Sequence, residues 1–144
     1  MEISVYNRQR KIRIPMKWLR TLAQVALPEC LGRPSRGDAP LPHLAVIEVT
    51  FVSDATIARV HRDFMDIPGA TDVITFDHGE IVISTETARE NAARYGRPFE
   101  EELARYVVHG LLHLNGYEDQ EPADFSRMQR VQEEVLEVCL EKLP

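Results

Sequence analysis

Residues 97–119 read RPFEEELARYVVHGLLHLNGYED, and this stretch decides the fold of the chain. Its first turns carry acidic residues, which are favoured at the N-terminus of a helix because they complement the helix dipole. Apolar residues follow at helical spacing. Gly116 can then end the helix, since glycine tolerates a positive φ. The stretch predicts one long central helix whose chain turns back sharply at its C-terminal end.

Strands are predicted on the N-terminal side of this helix. β-branched and apolar residues cluster in the segments ISVYN, LAVIEVTFVS, TDVITF and EIVIS. The second segment is apolar on both faces, which is typical of an inner strand. We therefore expect an α/β (α+β) fold with a single mixed sheet of about four strands covered by helices.

Helical patterns fill most of the remaining chain. Helices are predicted for MKWLRTLAQVAL, for DATIARVHRDFM, from Thr85 to about Tyr95 and for PADFSRMQRVQEEVLEVCLEKL. The stretch from Pro28 to Pro42 is rich in proline and glycine and predicts a surface loop. We expect one domain spanning residues 1–144, a usual domain length.

Composition excludes a membrane protein. No apolar run approaches the roughly 18–20 residues of a membrane-spanning helix, and the N-terminus has no apolar segment of the kind found in secretory signals. We therefore expect a cytoplasmic protein that does not contact membranes. Cys139 lies in an apolar helical pattern and should behave as a small core residue, and a disulfide with Cys30 is not expected in this compartment.

The charge of the chain is unevenly distributed. Residues 1–43 carry eight lysine and arginine side chains against three acidic ones, although the formal net charge of the whole chain is −6. A basic segment in an acidic chain is a feature of polyanion-binding proteins. The alternative is an ordinary solvated strand and helix.

Two histidines and an aspartate suggest a metal site. On a helix, His109 and His113 lie on one face, and the turn at Gly116 can bring Asp119 back towards them. Three protein ligands with an open position are the pattern of a catalytic zinc site, whereas a structural site usually closes with four ligands. The alternative is that both imidazoles are core or interface side chains, which would then need other hydrogen-bond partners.

The same spacing occurs in the zinc signature of the metzincin proteases. Those enzymes have a glutamate directly after the first histidine, where it acts as the general base. Here that position is Gly110. Because glycine cannot accept a proton, a metal-dependent protease or amidohydrolase is disfavoured.

Three blocks of the sequence together resemble a known family. HGLLHLNGYED, TDVITF and GEIVIS resemble, in order and approximate spacing, the motifs of the YbeY family of bacterial rRNA-maturation endoribonucleases. The resemblance implies a compact α/β fold with one zinc-like ion in a cleft, held here by His109, His113 and Asp119. It also implies ribosome biogenesis, single-stranded RNA or rRNA as substrate, small-subunit ribosomal proteins as further partners, and no small-molecule cofactor.

Two departures from the family pattern lie next to the ligands. Asp119 stands where the family has a third histidine. A carboxylate is an acceptable zinc ligand, but it lowers the net charge of the site, so we expect a weaker Lewis acid. Glu118 stands where the family has an aspartate. It is the candidate for proton transfer, and its longer side chain is also an alternative ligand.

A third departure concerns phosphate binding. Met65 stands where the family has an arginine that the resemblance implies would contact RNA phosphate. Arg62 lies one helical turn back and is the candidate replacement, the alternative being a solvated side chain. The leading hypothesis is a metal-dependent endoribonuclease. The alternative is a ribosome-assembly factor that binds a structural metal and cleaves nothing.

Overall fold

The computed structural model describes residues 1–35 and 37–144. One mixed sheet of four strands forms its centre, with spatial order β1-β2-β4-β3. The strands are β1 (Glu2–Asn7), β2 (Val46–Val52), β3 (Val73–Phe76) and β4 (Glu80–Ser84). β2 pairs in parallel with β1 and β4, and β3 pairs antiparallel to β4. The prediction of a mixed sheet with β2 inside it is confirmed.

In the described residues, five α-helices surround the sheet. They are α1 (Met16–Leu31), α2 (Asp54–Met65), α3 (Thr85–Tyr95), α4 (Phe99–Leu114) and α5 (Pro122–Lys142). Helix α5 packs on α1 and α4 rather than on the strands. Serines begin two of them, since the Ser53 hydroxyl accepts from the Thr56 amide at 3.2 Å and the Ser84 hydroxyl accepts from the Thr87 amide at 3.1 Å. Gly96 ends α3 with φ +64°, as its sequence predicts.

The predicted loop from Pro28 is wrong at its start, because α1 continues to Leu31. Pro28 lies in the last turns of the helix, where it removes one main-chain hydrogen bond. Leu27 and Cys30 are buried on either side of it, and their burial outweighs that loss. The extra turn matters for the site, because the chain beyond α1 holds the turn that follows α4.

Helix α4 is the central element of the fold. Nearly all of its side chains after the first turn are buried between the sheet, α1, α3 and α5. Gly110 permits this close approach, because a Cβ atom at that position would lie 2.7 Å from Cγ2 of Ile81 on β4. The missing side chain thus has a packing reason. His109 and His113 stay partly exposed towards the C-terminal end of α4, and the cleft forms there as predicted.

The other face of the sheet carries a smaller apolar cluster. Ile57 of α2 packs there against Val52, Ile74 and Val82. This packing fixes α2 beside β3, so that both elements flank the cleft. No helix within the described ranges combines the length and hydropathy needed to cross a membrane. Cys30 and Cys139 are both buried free thiols.

Candidate metal centre

The structure brings the three predicted ligands together at the C-terminal end of α4. Asp119 Oδ2 lies 3.7 Å from His109 Nε2 and 3.4 Å from His113 Nε2. Potential ligand atoms of the three residues all lie within 4.8 Å of one another. The two imidazole rings are nearly perpendicular, with centroids 4.6 Å apart. All three side chains are partly exposed, so the cluster is open to a ligand from solvent.

His109 is oriented by a side chain from another helix. Its Nδ1 lies 2.7 Å from Oε1 of Gln132, a buried residue of α5. The amide group of Gln132 donates to Glu133 Oε2 at 3.1 Å, which fixes its oxygen towards His109. An amide oxygen can only accept. His109 therefore carries its hydrogen on Nδ1 and presents the lone pair of Nε2 to Asp119.

His113 is oriented by the main chain of its own turn. Its Nδ1 donates to the Tyr117 carbonyl oxygen at 2.9 Å. Gly116 reverses the chain with φ +99°, a conformation that favours glycine. The Gly116 amide donates to the His113 carbonyl at 3.1 Å, and the Tyr117 amide donates to the Leu112 carbonyl at 3.0 Å. The Nε2 lone pair of His113 is thereby also left for a ligand.

These residues fit a divalent transition ion. Two donors at about 2.0–2.2 Å from a tetrahedral ion would lie roughly 3.3–3.6 Å apart, and the two distances from Asp119 are 3.4 and 3.7 Å. Both histidines donate through Nδ1 to an oxygen, which is the usual support of a metal-binding imidazole. Core histidines would not need two free Nε2 atoms facing one carboxylate.

Burial favours the neutral form of His109. It lowers the pKa of the imidazole, and the neighbouring His113 ring adds to the shift, against opposing contributions from Gln132 and Asp119. A neutral imidazole is the form that binds a metal ion. The environment of His109 therefore favours a neutral imidazole that can bind a metal ion over a charged imidazolium that would form an ion pair with Asp119.

A partly buried ion-pair network packs beside His109 and holds the residues that orient it. Arg105 on α4 hydrogen-bonds to Glu102, and its Nη2 and Nε lie 2.9 and 2.8 Å from the Glu133 carboxylate. Glu102 is 2% exposed and Arg105 is 7% exposed. Burial raises the pKa of the Glu133 carboxyl, but hydrogen bonds from Arg105 and Gln132 outweigh it, so the net shift is downward. Glu133 thus links the network to Gln132 and, through it, to His109.

Two cavities meet at the cluster. The first, of about 500 Å³, has His113 and Asp119 in its wall and is bounded by α2 and β3. The second, of about 370 Å³, has His109 and Asp119 in its wall and is bounded by α3 and α5. We call them the His113 cavity and the His109 cavity. Asp119 belongs to both, so a ligand at the cluster would be accessible from either side.

The two predicted catalytic residues are placed differently. Glu118 is exposed and lines the His113 cavity beside Asp119. Arg62 projects from α2 with its side chain 64% exposed, and its Nε lies 3.2 Å from Asp63 Oδ1. Among the described residues of α2, His61 and Met65 line the cavity. The roles of Glu118 and Arg62 stay predictions.

The side chains of Tyr117 and Asp72 form hydrogen bonds with the main chain of neighbouring segments. Tyr117 is 4% exposed, and its hydroxyl donates to the Arg33 carbonyl at 2.8 Å, so it packs over the turn. Asn115 donates to the Cys30 carbonyl at 2.7 Å and ties the same turn to the end of α1. Asp72 accepts from the Val73 amide at 2.7 Å and so holds the start of β3.

Sequence reasoning missed Gln132, Arg105 and His61. Gln132 lies 23 positions after His109, and no local pattern joins them. His61 lines the His113 cavity, and its Nδ1 lies 3.0 Å from the Gly69 carbonyl oxygen. The buried pair of Glu102 and Arg105 had a signal, because two opposite charges three positions apart lie within an otherwise apolar helix.

The described lysines and arginines of the basic N-terminal segment line neither cavity, although Asp38, Ala39 and Pro40 of the same segment line the His113 cavity. Lys11 Nζ is 3.8 Å from Glu86, and Arg33 Nη1 is 3.0 Å from Glu29. These pairs are exposed or partly exposed surface contacts of modest strength. Contact of this segment with RNA stays a prediction, and Arg36 lies outside the described residues.

Two histidines on the central helix and one carboxylate beyond its end, beside a mixed sheet, define an α/β protein with a candidate metal site. Residues 4–139 match the family described as Endoribonuclease YbeY. The chain belongs to the YbeY family. It is 39% identical over 110 residues to an Endoribonuclease YbeY of Desulfitobacterium hafniense (strain Y51), covering 64% of this chain and 70% of that protein.

A second relative covers more of the chain. The Endoribonuclease YbeY of Limosilactobacillus fermentum (strain NBRC 3956 / LMG 18251) is 34% identical over 137 residues, covering 81% of this chain and 84% of that protein. Among solved structures, the solution structure of TM1509 from Thermotoga maritima superposes with a TM-score of 0.67. It is 26% identical and covers 97% of this chain and 90% of that one.

Proposed function

We propose that this protein is a metal-dependent endoribonuclease that cleaves single-stranded RNA in rRNA processing and ribosome maturation. One observation carries the proposal: in a chain of the YbeY family, two imidazoles fixed through Nδ1 turn both Nε2 atoms towards one carboxylate. This arrangement is prepared for an ion before the ion binds. The relatives are named endoribonucleases, and the same chemistry suits this cleft.

His109, His113 and Asp119 would hold one zinc or similar divalent transition ion per chain. When bound, such an ion supplies Lewis-acid chemistry that neutralises charge developing on a phosphate oxygen and makes a water molecule more acidic. Asp119 offsets part of the positive charge of the site. The hydrogen bonds of both Nδ1 atoms keep the imidazoles from rotating, so the ligand set does not have to reorganise during turnover.

Glu118 is the proposed proton carrier. It lines the His113 cavity next to a ligand, and its carboxylate can accept a proton from water and return it to a leaving oxygen. Arg62 is the proposed phosphate contact, because its exposed guanidinium lies on the helix that flanks this cavity. Met65 lines the same wall and offers a substrate no charge.

The proposed substrate is single-stranded, because the ligands lie in a cleft at a helix end that an isolated strand can enter. We further propose a cytoplasmic site of action and small-subunit ribosomal proteins as partners. A basic N-terminal segment contacting the RNA backbone would make binding weaken steeply as salt rises.

Cleavage of a single-stranded RNA and of its duplex by the metal-loaded protein tests the proposal. Wild-type protein should cut the single strand preferentially, and His113→Ala should lose cutting. Equal cutting by both proteins would indicate a contaminating nuclease. Wild-type protein that binds RNA and a metal ion but cuts nothing would favour the assembly-factor alternative.

Matched variants test the two further roles. Glu118→Gln should lower the cleavage rate about 100- to 10,000-fold, whereas Glu121→Gln, an exposed neighbour outside the cavity lining, should not. Wild-type rates across pH for Glu118→Gln would exclude the role of Glu118. Arg62→Ala should raise KM for RNA more than Arg59→Ala, which removes another exposed arginine of the same helix.

A further inference from the structure

Apart from His109 and Asp119, the residues that line the His109 cavity have no role in the ligand set. The cavity nevertheless opens directly onto both of these predicted ligands. The His113 cavity lies on the other side of the same aspartate. A nucleic-acid strand with its reacting phosphate at the cluster must extend to both sides. One neighbouring nucleotide would therefore face the His109 cavity, an expectation that rests on the proposed function.

Aromatic side chains are concentrated at this cavity. In the described part of the chain, four aromatic residues are prominently exposed, namely Tyr6, Phe64, Tyr95 and Phe125. Two of the four line the His109 cavity: Tyr95 at the end of α3, 58% exposed, and Phe125 at the start of α5, 48% exposed. Exposed rings on two separate helices are the stacking platforms of single-strand-binding proteins.

A guanidinium lies at the same rim. The Arg97 guanidinium carbon lies 5.4 Å from the centroid of the Tyr95 ring, and its Nη1 lies 3.5 Å from Glu102 Oε1. Glu102 thus holds the arginine beside the ring while its side chain stays 42% exposed. An arginine fixed in this way can stack on a base or contact the phosphate that follows it.

Hydrogen-bonding groups complete the wall. Gln129 is half-buried, and its side chain forms no hydrogen bond with any other described residue. Asn91 donates to the Tyr106 hydroxyl at 2.7 Å, which leaves its carbonyl oxygen as an acceptor. Amide groups that line a cavity with unused donors or acceptors suit the edge of a base, which carries both donors and acceptors.

Size and charge restrict the ligand further. A cavity of about 370 Å³ is at the small end of the roughly 300–1,000 Å³ range of ligand sites, so it suits one planar group. Three carboxylates, Asp72, Glu102 and Asp119, outnumber the two arginines of the lining, and Glu102 pairs with both arginines, so the cavity does not favour a free anion such as phosphate. A neutral, flat group with polar edges avoids that repulsion.

We infer that the His109 cavity binds one nucleobase of the RNA, next to the cleaved phosphate, stacked on Phe125 with its edge at Gln129 and Asn91, while Tyr95 and Arg97 form the rim. The cavity thereby sets the register of the strand at the metal centre. Glu118, the proposed proton carrier, lines the His113 cavity on the other side of Asp119.

Binding of a single-stranded oligonucleotide with 2′-O-methyl riboses tests this inference. Such a strand keeps its bases and phosphates, and gel electrophoresis after each titration verifies that it is still intact, so its affinity for the metal-loaded protein can be measured by fluorescence anisotropy. Phe125→Ala should weaken binding roughly 5- to 150-fold, the usual effect of losing one stacking ring. Phe125→Trp should restore binding. Phe64→Ala, which removes an exposed ring from α2 outside this cavity, should leave it unchanged.

Moving a single abasic site along the strand identifies the bound base. One position should weaken binding to wild-type protein and have no further effect in Phe125→Ala. Equal affinities and equal abasic profiles for Phe125→Ala and Phe64→Ala would overturn the inference, as would a wild-type protein that does not bind the strand. Cleavage of unmodified RNA tests the proposed function separately. If wild-type protein and Phe125→Ala cleave RNA equally well, only the proposed base-binding site is refuted.

Discussion

The two histidines of the metal centre are held in contrasting ways. His113 donates to a main-chain carbonyl four residues away, within its own turn. His109 donates to the side chain of Gln132, on a helix 23 residues further along. The first support exists whenever the turn folds and does not depend on side-chain identity. The second depends on α4 and α5 packing in register and on a buried charge network.

The contrast predicts where the centre is vulnerable. Substitutions on the His109 side should act through a side-chain relay that runs from Glu102 to Gln132. The His113 side should respond only to changes in backbone geometry. Three variants test this difference, in decreasing order of expected effect.

Arg105→Leu should destabilise the protein most, by about 3–5 kcal/mol. It removes the cation that pairs with Glu102, which is 2% exposed and would keep Arg97 at 3.5 Å as its remaining ion-pair partner. Urea unfolding measures the loss. Lys142→Leu is the control, because it breaks an exposed pair with Glu29 and should hardly move the unfolding midpoint. Similar midpoints for both variants would mean that the network does not stabilise the fold.

Gln132→Leu should weaken zinc binding about 10- to 100-fold, the usual effect of removing a hydrogen-bond partner of a liganding histidine. Competition with a chromogenic chelator measures the affinity. Gln132→Glu keeps an acceptor for Nδ1 and should bind far more tightly than the leucine variant. Nitrogen NMR of the metal-free protein should show His109 losing its single tautomer in Gln132→Leu only. An unchanged affinity in Gln132→Leu would remove the distinction between the two histidines.

Gly116→Ala should cost roughly 1–2 kcal/mol of stability, because alanine must adopt the positive φ of this turn. The Tyr117 carbonyl should still accept from His113 once the variant is folded, so zinc affinity should change less than in Gln132→Leu. Gly32→Ala is the control. Its φ of −73° suits alanine, and its stability should be unchanged or slightly higher. A loss of zinc affinity exceeding that of Gln132→Leu would reverse the comparison.

Features that depend on residues close together in the chain could be predicted well from the sequence. His109, His113, Gly116 and Asp119 lie within eleven residues, and their spacing on a helix and turn determines their proximity. The sheet could also be predicted from the sequence, because the β-branched segments and their order in the chain indicate a mixed sheet. The resemblance to the YbeY family is confirmed by the match over residues 4–139.

The remainder depends on contacts between distant segments. Gln132 and the His109 cavity exist only because α5 packs against α4. The extension of α1 past Pro28 was missed because proline indicates a break, while the burial of Leu27 and Cys30 is decided by tertiary packing. Gly110 was understood as the absence of a base, whereas its packing reason lies in Ile81 of another element.

The central claim is that His109, His113 and Asp119 form one metal site. Mass spectrometry of metal content per chain tests it most directly, with Asp119→Ala beside wild type and Glu118→Ala as the neighbouring control. We expect about one zinc-like ion per chain in wild type and in Glu118→Ala, and much less in Asp119→Ala. Full retention of the ion by Asp119→Ala, or a wild type that holds no ion after gentle purification, would contradict it.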